Sequence, residues 1–108
     1  MSLRDRQNEF ARYFGILLIY AYAHGYEISI GDVWAKTGHI EGSFHYKKLA
    51  GDLNLFINEE YIKDERGHDM LGKFWKSLHP ECTWGGDFSN KDYNHYSYGE
   101  HGRKHVVY

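Results

Sequence analysis

The sequence predicts a small α+β domain: an antiparallel sheet with helices packed on one face and a site at the sheet's open side. Three observations lead there. The chain has 108 residues, which fits a single domain over 1–108, since domains commonly run to roughly 100–150 residues. Two segments repeat apolar residues at helical spacing, and the segments around them alternate or are β-branched. The resulting order is helix, strand, loop, strand, strand, helix, turn, strand. No repeat, low-complexity segment or linker divides it.

Residues 5–24 read as the first helix. Phe10, Phe14, Leu17, Leu18 and Ala21 recur three and four apart, with charges mainly in the first turns. Gly25 is its stop signal, and Gly15 inside it costs about 1 kcal/mol relative to Ala. Residues 26–33 (YEISIGDV) alternate and read as a strand. Residues 36–42 form a loop with two glycines. Residues 49–57 (LAGDLNLFI) read as the next strand, and Asn58-Glu59-Glu60 turn it toward a short strand at 61–63. Met70, Leu71, Phe74, Trp75 and Leu78 mark a second helix over 70–78, ended by Pro80. Trp84-Gly85-Gly86-Asp87 is a turn, and 94–98 alternates as a last strand. The tail, 100–108, carries weak signals.

Composition narrows the function. Hydrophobic residues make up 42% and charged residues 26%, as expected of a soluble globular chain. A net charge of −2 leaves no basic footprint for nucleic acid. The longest apolar run, 14–23, has about ten residues against the roughly 20 that span a bilayer, so no membrane insertion is expected. Asp5 and Glu9 precede that run and no small-residue cleavage site follows it, so the chain reads as made in the cytoplasm without a signal peptide. A single cysteine, Cys82, excludes an internal disulfide and a cysteine-rich zinc site, and reads as a small buried hydrophobe. Eight histidines are scattered along the chain, so any metal would be held by His and carboxylates.

Two segments carry the chemistry. In SFHYKKLAGD, His45 and Asp52 are seven apart, and a bend between loop and strand can bring imidazole and carboxylate to one point. In WGGDFSNKDYNHYS, Asp92 stands three residues before His95. Either pair alone is weak: a solvated Asp and a core His explain each as well. Among the other histidines, His39 reads as an exposed loop residue, and His24, His68, His79, His101 and His105 as surface or capping residues. Asp87 reads as a turn former. Trp84 is as well placed for the core as for a cleft wall.

Taken together and in this order, the motifs resemble a zinc peptidase family. It includes the VanY-type D-alanyl-D-alanine carboxypeptidases and the phage L-alanyl-D-glutamate endolysin peptidases. GYEISIGDVW, SFHYKKLAGDLNLF, LGKFWKSLHPECTWGGDF and DYNHYS look closest to its short phage-type members, over roughly residues 10–98. The resemblance implies one Zn2+ held by His45, Asp52 and His95, with Asp92 as general base. It implies peptidoglycan stem peptides as substrate, with Ser43 contacting substrate or orienting the site; Lys36 and Trp84 are this chain's further candidates for substrate contact. It further implies action on the bacterial cell wall after release from the cell that makes it.

One departure stands out. Family members place an Arg where this chain has Ala35, in Gly31-Asp32-Val33-Trp34-Ala35. Lys36, Lys47 or Lys48 can supply a positive charge there, but not the bidentate geometry of a guanidinium. The departure favours an alternative: a catalytically impaired member that binds peptidoglycan or a partner. A structural-metal or interaction domain unrelated to hydrolysis is a third reading. The sequence leaves the oligomeric state and the bond cleaved open.

Overall fold

The computed structural model describes residues 2–32 and 48–99. The predicted loop at 36–42, the tail at 100–108, and Lys36, Ser43 and His45 lie outside the described residues. Among the described residues, two helices and a small open antiparallel sheet make up the α+β architecture that the sequence predicts.

Helix α1 spans Leu3–Ala23. It begins with a capping box in which Ser2 and Asp5 bond each other's backbone N–H, satisfying two donors that a helix start leaves open. It ends at Gly25, whose φ of 85° suits a residue without Cβ. Its buried face is Phe10, Phe14, Leu17 and Ala21. Helix α2 spans His68–Leu78 and starts two residues earlier than its apolar stripe suggests. His79, before Pro80, is already extended.

The strands are β1 (Glu27–Ile30), β2 (Ala50–Ile57), β3 (Glu60–Ile62), β4 (Cys82–Trp84) and β5 (His95–Tyr98). Strand β4 was not expected from the sequence, because three residues are too few to show a period. Strand β2 is the hub. Strand β1 pairs along one of its edges. Its other edge is shared: β5 pairs with Ala50, Gly51 and Asp52, and β3 pairs with Leu55, Phe56 and Ile57. Strand β4 then extends the sheet beyond β5.

Alternation along the strands sorts the two faces. Leu53, Leu55, Tyr96, Tyr98, Cys82 and Trp84 join α1 and α2 in one core. Trp75 of α2 is its centre, fully buried and edge-on to Phe10, Phe14 and Tyr96. Its indole N–H donates to the carbonyls of Thr83 and Ser97, both at 3.0 Å, which ties α2 to β4 and β5. Truncating such a side chain to Ala typically costs about 3–5 kcal/mol. Helix α1 reaches β5 through Tyr13 stacked on Tyr98, and through a hydrogen bond from the Tyr98 hydroxyl to Glu9. Asp52 and His95 alternate with these core positions and so belong to the opposite face. No described helix is long and apolar enough to cross a membrane.

Candidate active site

Register creates the site. Asp52 of β2 and His95 of β5 are direct partners across an antiparallel pair, which places both side chains on one face. Asp52 is held from both edges. Its N–H donates to Asp32 O at 2.9 Å, its carbonyl accepts from Gly31 at 2.8 Å, and the next N–H, of Leu53, donates to Asn94 O at 2.9 Å. Gly31 belongs to this clamp, since a Cβ there would lie 3.2 Å from Asp52 Cβ.

His95 is 1% exposed, with the Phe88 ring centroid 5.4 Å from its own. Its Nδ1 lies 3.8 Å from Asp52 Oδ1 and 3.9 Å from Asp92 Oδ2. These separations are too long for hydrogen bonds between the named atoms and short enough for electrostatic contact. Exposure is graded: the Asp52 side chain keeps 21% with its Oδ1 buried, and the Asp92 side chain keeps 41%. Asp92 is thus the carboxylate at the entrance.

The turn that delivers Asp92 is closely built. Gly85 O accepts from the N–H groups of Phe88 and Asp92, and Asp92 O accepts from His95 N–H. A Cβ on Gly85 would stand 2.1 Å from Asp92 O and 2.8 Å from His95 Cβ. Trp84 is 7% exposed. Its indole N–H donates to Tyr93 O at 2.8 Å, and its ring fills the space that Cβ atoms on Gly72 and Gly86 would need. Trp84 therefore buttresses the turn from the core side and shows only a small edge. Asp87, in the 3-10 turn Gly85–Asp87, pairs with Lys76 of α2 at 2.8 Å.

A family model described as D-alanyl-D-alanine carboxypeptidase matches residues 36–98, more than half of the chain. The chain belongs to this family. No curated protein matches it. Membership supports hydrolysis of the peptidoglycan-peptidase type in general, in a family that is generally zinc-dependent. The matched segment includes every candidate site residue of this D-alanyl-D-alanine carboxypeptidase relative: Lys36, Ser43, His45, Asp52, Trp84, Asp92 and His95.

The donors present fit zinc. Asp52 Oδ1 and His95 Nδ1, a carboxylate oxygen and an imidazole nitrogen, face each other. Their 3.8 Å separation is a few tenths of an ångström above the ~3.4 Å between two tetrahedral ligands of one zinc ion. Among the described residues no group of three His, Cys, Asp or Glu comes together as a metal site. The two that face each other are Asp52 and His95. His45 lies outside the described residues.

Several functional contributions went unread in the sequence. Gly31, Gly85 and Phe88 shape the site, and the Trp-Gly-Gly-Asp turn signal was the one hint of them. His68 corrects an expectation. Read as a surface or capping residue, it is 1% exposed, and its Nδ1 lies 2.7 Å from the Tyr96 hydroxyl, under the strand that carries His95. Burial pushes its pKa down to about 4. Cys82 is buried, and burial pushes its thiol up to about 12, far from a nucleophile's range.

Proposed function

We propose that this chain is a zinc-dependent peptidase that hydrolyses peptide bonds in the stem peptides of bacterial peptidoglycan. The bond is an L-Ala-D-Glu linkage or a terminal D-Ala-D-Ala linkage, and the biological setting is phage or prophage lysis, with action on the wall after release. One observation carries the reading. Within a segment matched to this family, Asp52 and His95 face each other across paired strands, and a second carboxylate, Asp92, approaches the same histidine nitrogen.

In this reading Asp52, His95 and His45 hold the ion. Bound there, zinc supplies a Lewis acid for the scissile carbonyl and acidifies water. Asp92 does the proton work. Its carboxylate stands at the entrance with 41% of the side chain exposed, so it can take a proton from the attacking water and pass it to the leaving amine. The backbone clamp on Asp52 and the Phe88 ring against His95 keep their donors preorganised. Substrate contact falls to Ser43 and Lys36, whereas Trp84, a core residue, supports the turn that carries Asp92.

The test is elemental zinc analysis combined with mass analysis of muropeptides after incubation. One zinc per chain and a defined cleavage are expected. Asp92→Asn should keep the zinc and lose about 10²–10⁴-fold in kcat. Wild-type rates in that variant would remove Asp92 from the mechanism, and unchanged zinc content in His45→Ala would remove that ligand. Ala35, in place of the family Arg, favours a second reading: a binding module for peptidoglycan or a partner, which would take up zinc and bind muropeptides without cleaving them.

A further inference from the structure

A cavity of about 280 Å³ lies beside Asp92, and its position follows from the topology. One edge of β2 changes partner partway along, from β5 at Asp52 to β3 at Leu55. The two partner strands cannot both fill the interval. The cavity opens between the end of β3, at Ile62 and Lys63, and the turn entering β5, at Lys91, Asp92 and Asn94. It is small for a whole ligand, at the lower limit of the usual range, and suits one residue of a peptide.

Its lining is polar and charged. Lys63 and Lys91 contribute two positive charges against the single carboxylate of Asp92. Lys91 Nζ gives one hydrogen to Gly86 O at 3.0 Å, which anchors the ammonium and leaves two donors for a ligand. Lys63 Nζ lies 6.0 Å from the Tyr61 ring centroid, on the opposite wall. His68 forms part of the wall as a buried ring, uncharged at neutral pH. Asn94 adds an amide, on the residue whose carbonyl clamps Leu53 next to the site. A cavity with net positive lining, contiguous with the proton-transferring carboxylate, is built to receive an anionic group on a residue close to the scissile bond.

We propose that this cavity is a substrate subsite in which Lys63 and Lys91 bind a free carboxylate of the stem peptide. The assignment rests on the peptidase reading above. The carboxylate is either the one carried by D-glutamate within the stem or the one at the peptide's C-terminus, and amidating each in turn separates the two.

The experiment is calorimetric titration of the zinc-loaded protein with a synthetic stem pentapeptide and its two mono-amidated forms. One amidated form should bind about tenfold more weakly than the parent, the loss expected for a charge-assisted hydrogen bond. In Lys63→Gln the difference between parent and amidated peptide should shrink, and in Lys63→Gln/Lys91→Gln the two should bind alike. Lys63→Gln alone guards against a turn disturbed by losing the Lys91–Gly86 bond. If both variants discriminate as the wild type does, or if the wild type ignores both amidations, the subsite assignment is overturned. Hydrolysis of the same peptides is followed separately. Preserved discrimination without cleavage would sink the peptidase reading and keep the subsite; cleavage without discrimination would do the reverse.

Discussion

Gly85 shows how far one missing methyl group sets the chemistry. The turn to Asp92 passes so close that a Cβ at 85 would overlap Asp92 O and press on His95 Cβ. Gly85→Ala must move the backbone that presents both residues. The expected result is a loss of about 1–3 kcal/mol in stability and at least tenfold weaker zinc binding, read by thermal denaturation and metal titration. His68 predicts a pH dependence. Its folded pKa is about 4 against an ordinary 6.5. Above pH 7 the ring is neutral in both states and adds no slope. As pH falls from 6.5 toward 4, the unfolded chain takes up a proton that the folded chain refuses, so stability drops by up to about 3 kcal/mol across that window. His68→Gln should flatten this part of a stability-versus-pH curve measured by urea denaturation. Nothing in the spacing around His68 marks it as buried. It looks like a polar residue at a helix start, and its burial arises from Tyr96, 28 residues away.

The β2–β3 hairpin isolates a choice made at the scale of an element. Ile57 pairs with Glu60, so two residues, Asn58 and Glu59, make the whole turn, and both have positive φ, 51° and 68°. This is the two-residue hairpin turn for which Asn-Gly is preferred. Asn58 suits its place, while Glu59 carries a Cβ in a left-handed conformation that costs roughly 1 kcal/mol. Glu59→Gly should therefore stabilise the protein by about 0.5–1 kcal/mol, measured as a higher urea midpoint at unchanged slope. The turn was legible in Asn58-Glu59-Glu60, and only its boundary moved by one residue. The long elements were legible for a like reason: α1 and β2 each carry enough periodic positions to fix a face. Strand β4 was not, because Cys82, Thr83 and Trp84 are all buried and show no alternation. The capping box at Ser2 and Asp5 was written in the sequence and went unread.

At the scale of the whole molecule, the site depends on long-range pairing that spacing cannot reveal. Asp52 and His95 are 43 positions apart, and only the β2–β5 register makes them neighbours. The order of the motifs pointed to the pair through a family resemblance, and the register supplies the physical cause. Under the proposed ligand set, register would also give the metal a structural role. Asp52 and His95 sit on different strands, so an ion held between them would link β2, which carries β1 and β3, to β5, which carries β4. An ion bound to the folded state alone stabilises it by about 2.7 kcal/mol at a hundred times its dissociation constant. Zinc at that excess should raise the thermal midpoint of the wild-type protein by several degrees, and a chelator should reverse the gain. Asp52→Asn keeps the shape of the side chain and removes the charged ligand, so its midpoint should respond to neither. An equal zinc-induced shift in the variant would place the ion elsewhere in the molecule and separate the β2–β5 pairing from metal binding.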